Sequence, residues 1–361
     1  MKFLKIAMIP ADGVGPEILA QVEKIVKSIN RRFQIDIQTT EFPYGADYAL
    51  RTGVSMPAEF VKDLESRFNA VMIGTLGDPR IPDGAHAREM IRQLREGLRL
   101  SLCLQTCKIY DRWITPLRSE EADTIDLLFC REMNEGLYSE SGMLLNKGSE
   151  QAIAMQTSVY LKSDLLASLT TALEYFHKLG RKRVCLVLQK RYPLLVNDLW
   201  KEVFTDLAKG YPGIECTVKL LDSAIVQFYR NPGEFDVILT PDICGDVFSA
   251  LGVYVQGGNG LAYLQEMNRE SFSVFRIHQG SITKYAGHNA ANPLGAILAL
   301  QQLLLQSGFQ QIADTLEQAV ASSINKHWVT MDLQGIIGTA EVGDFICSFI
   351  EERGTLFESR S

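Results

Sequence analysis

Short apolar runs, each followed by a longer stretch with helical periodicity, recur along this chain and constrain its fold class. FLKIAMI (3–9) leads to a helix expected over 16–30, opened by Gly15-Pro16-Glu17. Pro16 sits at the first helical position, where its missing N–H costs nothing. NAVMIG (69–74) precedes a helix over 86–99, and KRVCLVL (182–188) and FDVILT (235–240) read as further buried strands. Further helices are expected over 161–179, 194–209, 293–306, 309–325 and 340–352. This alternation implies an α/β fold, a central mostly parallel sheet flanked by helices. Residues 125–160 break the rhythm. IDLLFCRE, GMLLNK and AIAMQTSVYL are strand-like segments close together, which implies local antiparallel β or an arm at roughly 140–158.

Composition narrows the classes. With 361 residues and 46% hydrophobic content the chain has ample core for two or three domains. Its net charge of −7 gives no overall basic field for nucleic acid or anionic membrane. No uncharged run approaches the ~18 residues of a membrane span. MKFLKIAMIP reads as a strand rather than a signal peptide. Seven cysteines are an odd number, and Cys103 and Cys107 have no neighbouring Cys or His to complete a zinc site. Buried free thiols in a reducing cytoplasm fit this usage.

Several stretches carry candidate chemistry. In FDVILTPDICGDVFSA (235–250) a buried strand turns into a helix bearing Asp242 and Asp246, four residues apart on one face. Neighbouring carboxylates repel, so such a pair suits a cation or a substrate. Ala11–Glu17 (ADGVGPE) is a tight strand–helix turn, and a helix start behind glycine can face an anion. IGTLGDPRIPDG (73–84) is a glycine-rich loop at a strand's carboxyl end, where α/β proteins bind ligands. Arg88, Arg92, Arg95 and Arg99 share one face of the expected helix, with Glu89 and Glu96 to the side. That face is either a solvated basic surface or an anion clamp. Lys190 follows a strand, where burial and neighbouring cations could make it a base; otherwise it is a surface lysine.

These segments together resemble the isocitrate/isopropylmalate dehydrogenase family, nearly end to end and in order. The family's GDGIGPE opening falls on Ala11–Glu17, its GAVGDP loop near the nicotinamide on the loop after Gly74, and its TxDLGGxxxT on the segment 329–344. LRKxLxLxxNLRP falls on LREGLRLSLCLQT, so the resemblance makes Arg95 a substrate-carboxylate arginine and puts Gln105 where a second arginine stands. RExxxGxY matches at Arg131–Tyr138, implying a third substrate arginine at Arg131 and a general acid at Tyr138. VDKANV falls on LQKRYP, giving Lys190 the catalytic lysine's place but Tyr192 the place of an Asn. The metal aspartates fall on Asp222, Asp246 and Ala250, so a Mg or Mn site lacks one carboxylate. The adenosine loop EPxHGSAPDIAGxxxANP falls on RIHQGSITKYAGHNAANP (276–293). It implies cofactor contacts from Gln279, Gly280, Ser281, Lys284, Tyr285 and Asn292, with the Lys-Tyr pair favouring NADP over NAD.

By this resemblance the fold is the family's two-domain one, with residues 1–100 plus 257–361 as a large cofactor-binding domain. Residues 101–256 form a small domain for substrate, metal and dimerisation, carrying the β arm. The implied assembly is a homodimer with shared sites, Lys190 and Asp222 facing the other copy's Arg95, Arg131, Tyr138 and Asp246. The implied function is NAD(P)-dependent, metal-assisted oxidation, with possible decarboxylation, of a 2-hydroxy di- or tricarboxylic acid in the cytoplasm. The alternative is a catalytically impaired member that binds a metabolite or a partner. The basic helix face adds an expectation of its own. Arg88 and Arg92 beside Arg95 favour citrate-like or phosphorylated acids over isopropylmalate.

Overall fold

The computed structural model describes residues 3–118, 122, 125–139, 141–189 and 195–358. A ten-stranded sheet runs through it in the order β2-β1-β3-β12-β11-β4-β5-β10-β8-β9. The strands are β1 (Phe3–Ala11), β2 (Asp36–Glu41), β3 (Ala70–Thr75), β4 (Leu102–Lys108), β5 (Asp126–Glu132), β8 (Arg183–Leu188), β9 (Glu215–Leu220), β10 (Val237–Thr240), β11 (Tyr263–Met267) and β12 (Ser273–Ile277). Two strands stand outside this sheet. β6 (Gly142–Leu145) and β7 (Ile153–Gln156) form an antiparallel hairpin, the arm expected from the sequence.

The outer parts of the sheet are parallel, as strand–helix alternation requires. Its centre is not. β12–β11, β11–β4 and β4–β5 pair antiparallel. β11 and β12 are joined by a short turn, and that hairpin is the element the alternation pattern gave no sign of.

Helices cover both faces. In chain order they are α1 (Gly15–Phe33), the short α2 (Ala46–Thr52), α3 (Ala58–Lys62) and α4 (Leu64–Arg67), then α5 (Ala85–Leu98), α6 (Lys162–Lys178), α7 (Leu195–Ala208), α8 (Leu221–Arg230), α9 (Asp242–Val255), α10 (Leu294–Gln306), α11 (Gln310–Asn325) and α12 (Thr339–Glu358). The expected helices are present with ends shifted by a few residues. α10 is buried without interruption from Leu294 to Leu304, which explains a sequence apolar nearly all round.

The interior divides by sequence. One cluster packs β1 and α1 against α10, α11 and α12, through residues such as Ile6, Val22, Leu300, Leu316 and Ile346. Another lies on the opposite face of β1 and β3, with Ile9, Ile73, Met90 and Leu94. Two more serve the chain's middle. Leu169, Phe176, Leu186, Trp200 and Phe204 gather under α6 and α7. Phe129, Phe228, Phe235 and Phe248 meet edge-on beneath α8 and α9.

Glycine is required where the first turn meets β3. A Cβ on Gly15 would lie 2.1 Å from the Pro10 carbonyl oxygen, and one on Gly74 would lie 2.3 Å from the same atom. The turn at Asp12–Gly15 therefore lies directly on the end of β3, which opens the cleft described below.

Candidate functional site

The site grows from strand ends. Arg131 lies near the carboxyl end of β5 and pairs in register with Thr240, the last residue of β10. Pro241 ends that strand and α9 begins at Asp242. The first turn of α9 lies on the Arg131 side chain: a Cβ on Gly245 would fall 2.3 Å from its Cγ. This contact aims the guanidinium along α9, where Nη1 makes an ion pair with Asp246. Nη2 donates to the Cys103 sulfur at 3.1 Å. The Tyr138 hydroxyl donates to the other Asp246 oxygen at 2.5 Å.

Arg95 closes the group from α5. Its guanidinium sits 5.9 Å from the centre of the Tyr138 ring. It also binds Glu266 of β11 with two parallel bonds, Nε to Oε2 at 3.1 Å and Nη2 to Oε1 at 2.9 Å. Arg276 of β12 donates to Oε1 of the same carboxylate, from Nε at 3.0 Å. Glu266 is buried at 1% exposure. Burial alone would raise its pKa, but the Arg276 and Arg95 guanidinia overcome this and hold it at about 2. Sequence reasoning singled out Arg95 and passed over Glu266 and Arg276. The signal available was a single charged residue in each of two short, mostly apolar strands.

A cavity of about 410 Å³ lies between α5 and the 133–139 segment. Arg88, Arg92 and Arg95 line it with Asn134 and Tyr138. Three corrections apply to the basic helix face. α5 ends at Leu98, and Arg99 is left-handed at φ 52°, so it leaves the face. Arg92 is held by both of its neighbours, Glu89 at 2.8 Å and Glu96 at 2.6 Å, so the face carries less net charge than its arginines suggest. Arg88 donates to the Asp83 carbonyl. Gln105 is placed elsewhere. It is buried and its amide donates to the Ser249 carbonyl at 3.0 Å, outside the residues lining the cavity.

The expected metal residues do not converge within the chain. Asp246 already faces a guanidinium and a phenol, and Ala250, one turn on, offers no donor. Asp222 lies in the first turn of α8 and lines a separate cavity with Val226 and Arg230. Among the described residues no three His, Cys, Asp or Glu side chains come together as a metal site. The donors of one chain therefore do not fit a divalent cation, which takes several oxygen ligands. Lys190 lies outside the described residues.

A second cleft, about 400 Å³, opens beside the first turn and is lined by Asp12, Gly13, Asp78, Arg80, Thr283 and Ala286. Asp12 organises it. Its carboxylate accepts from Ala46 N at 2.6 Å and Gly77 N at 2.7 Å, and meets His86 Nε2 at 2.8 Å. Ser281 joins this wall, its carbonyl accepting from Val14 N at 2.9 Å. Gln279 is buried, and its amide oxygen has no hydrogen-bond partner. Gly280 is exposed, and a Cβ there would lie 3.9 Å from Ile282 Cγ1. Lys284 and Tyr285 are exposed, the ammonium 4.9 Å from the ring centre. Asn292 is tied down by Asp332 at 3.0 Å and by Leu294 N at 2.9 Å. A polar cleft at strand ends fits a dinucleotide.

The sequence profile of the isocitrate/isopropylmalate dehydrogenase family matches residues 5–346. The chain belongs to this family. Among its relatives is the 3-isopropylmalate dehydrogenase of Thermobifida fusca, 30% identical over 97% of this chain and 99% of that protein. That of Photorhabdus laumondii is 32% identical over 96% and 98%. The crystal structure of isocitrate dehydrogenase from Methylococcus capsulatus superposes with a TM-score of 0.83 at 25% identity, covering 97% of this chain and all of that one. The fold is accordingly the family's, a central mostly parallel sheet flanked by helices with a protruding β arm. No helix among the described residues is long and apolar enough to cross a membrane.

The buried carboxylate gives a pH test. Glu266 sits at about 2 in the folded chain against an ordinary value of 4.5. Its stabilisation is complete above pH 4.5 and is lost as pH falls from there toward 2. Glu266→Gln leaves two guanidinia without their counter-charge and is expected to cost about 3–5 kcal/mol at neutral pH. Urea unfolding across this pH range should show the difference between wild type and variant shrinking as the medium becomes acid.

Proposed function

We propose that this chain is an NAD(P)-dependent oxidoreductase acting on the CH–OH group of a 2-hydroxy di- or tricarboxylic acid. The observation that carries the reading is the cavity joining Arg88, Arg92 and Arg95 to Tyr138, with Arg131 and Asp246 beside it. Guanidinium binds carboxylate in a planar, two-bonded fashion, and several of them orient a polyacid. Ile91 and Met133 are the only aliphatic side chains among the described lining residues, which suits isocitrate-like or phosphorylated acids better than isopropylmalate.

In this reading the dinucleotide lies along Gly74, Gln279, Gly280, Ser281 and Asn292, and when bound it supplies a hydride acceptor. Lys284 and Tyr285 stand where a cation and a hydroxyl can meet a 2′-phosphate, so NADP is preferred over NAD. Arg88 and the outer edge of Arg95 hold substrate carboxylates, while Glu266 keeps the inner edge fixed. Lys190 takes the proton of the substrate hydroxyl as the carbon beneath it loses hydride. If the resulting keto acid carries a β-carboxylate, it loses carbon dioxide and leaves an enol. The Tyr138 phenol then protonates the enol carbon and regains its proton from solvent, while Asp246, 2.5 Å away, holds the phenol in place. Residues 1–100 with 257–361 serve the cofactor, and 101–256 serve substrate and dimerisation.

Assembly completes the site. β6 and β7 form a two-stranded hairpin whose Met143, Leu144, Leu145, Ile153 and Met155 are about half exposed. Val226 and Tyr229 on α8 and Ile243, Val247 and Tyr254 on α9 are exposed as well. A lone hairpin is marginal in water, and so much apolar surface supports a second copy covering it. A homodimer brings Lys190 and Asp222 of one copy to the Asp246 of the other, in a soluble cytoplasmic enzyme. Sedimentation at micromolar concentration is expected to give the dimer mass; a monomer would remove the shared site.

One observation favours a second reading. The carboxylate best placed for Mg or Mn is already neutralised by Arg131, and Ala250 supplies no donor. A family member that binds its metabolite without turning it over would show this arrangement. Manganese calorimetry distinguishes how far the site has closed. Wild type should bind weakly, and Ala250→Asp should bind about tenfold tighter or better; silence in both variants sides with the second reading.

The deciding experiment is a panel of 2-hydroxy acids with manganese and either cofactor, read by absorbance of the reduced nicotinamide. Isocitrate with NADP is expected to exceed isopropylmalate with NAD. Tyr138→Phe should lower turnover at least a hundredfold while leaving substrate binding nearly intact. Binding without turnover across the panel would favour the metabolite-binding reading.

A further inference from the structure

Behind the arginine cavity lies another cavity, about 350 Å³, that the proposed chemistry does not use. Arg99, Ser101, Asp164, Ser168, Arg269 and Glu270 line it. They come from different elements. Arg99 follows α5, Ser101 precedes β4, Asp164 and Ser168 lie on α6, and Arg269–Glu270 form the turn between β11 and β12. The cavity thus sits where the sheet's antiparallel centre meets α6. Ser101 anchors that junction through its backbone, its N–H donating to Met267 O at 3.0 Å and its carbonyl accepting from Met133 N at 2.9 Å.

Two features of this cavity point to a ligand. The first is on its floor. Ser101 is 3% exposed, and its hydroxyl has no hydrogen-bond partner. A buried hydroxyl is ordinarily bonded, and Ser101 is one of the residues that line the cavity. The second is the unspent charge on its walls. None of the described ion pairs engages Arg99, Arg269, Asp164 or Glu270. Glu135, also in the wall, is spent differently: it accepts from Leu161 N at 2.5 Å at the start of α6.

Two guanidinia, and Asp164 and Glu270 with the carboxylate of Glu135 beside them, line one space without pairing and are matched by a molecule carrying both signs. A simple anion would face Asp164 and Glu270, and a simple cation would face Arg99 and Arg269. We infer that this cavity is a binding site for a small zwitterion of the α-amino acid class, its carboxylate held by Arg99 and Arg269, its ammonium by Asp164 and Glu270, and a polar atom by the Ser101 hydroxyl. The volume suits a molecule of that size, and the inference stands independently of any activity in the arginine cavity.

The two cavities share a wall at Asn134, so the test must tell them apart. Calorimetry on the full chain with L-norvaline, pentanoate and pentan-2-amine isolates the charge requirement within one carbon skeleton. Norvaline is expected to bind with millimolar Kd or tighter, and the two single-charge analogues at least tenfold more weakly. Arg269→Gln and Asp164→Asn should each weaken norvaline about tenfold, the loss of one charge-assisted bond. Both positions are exposed, and either variant alone suffices if the other fails to fold. Arg92→Leu, in the neighbouring cavity, should leave norvaline binding unchanged. No binding of norvaline, equal binding of pentanoate, or loss in Arg92→Leu with none in Arg269→Gln would overturn the assignment.

Discussion

One hydrogen-bonded sheet crosses the whole molecule, and the site depends on how its two parallel halves are joined. The join is antiparallel, through β12, β11, β4 and β5. A reversal there puts Arg131 of β5 and Glu266 of β11 opposite the same residue, Cys103 of β4, which runs between them. It also leaves the ends of β1 and β3 facing the 276–293 loop beside a separate cleft. A wholly parallel sheet would have put every strand end on one rim. The antiparallel centre instead gives distinct clefts, separated by the strands that share the charged residues.

Charge in this site is arranged in closed groups. Glu266 is ionised only because Arg95 and Arg276 flank it, and Arg95 is fixed only because Glu266 holds two of its nitrogens. Arg131 stands in the same relation to Asp246, and Arg92 to Glu89 and Glu96. A polyacid entering here competes with carboxylates already in place, so part of its binding energy goes into exchange rather than new contact. That favours ligands with several acidic groups in the right positions and weakens response to a single one.

Much of this was legible in the sequence, for reasons that differ by element. Strand–helix alternation is a period signal, and it located α1, β3, α5, β8, β10 and α9 within a few residues. The family resemblance, rather than any periodicity, put Arg131, Tyr138 and Asp246 in one group, and their side chains do meet. The β11–β12 hairpin was not legible, since two short buried strands with a tight turn look like any pair of apolar runs. Nor was the role of Glu266, because a partner 171 residues away in sequence leaves no local trace. Arg99 shows the limit of helical periodicity. The spacing continued one residue past the point where the backbone turned left-handed.

The hairpin of β6 and β7 has a further meaning. Its strands touch only each other in the main ladder, and its apolar side chains lie on the outside. Local order there is not set by this chain's own core but by how often something else is near. In the proposed dimer the segment's stability is a function of concentration, rising with abundance while the sheet beneath stays constant. Cleavage or unfolding at the arm then reports on crowding by its own kind, and a dilute chain and an abundant one differ in a way that no change of sequence is needed to produce.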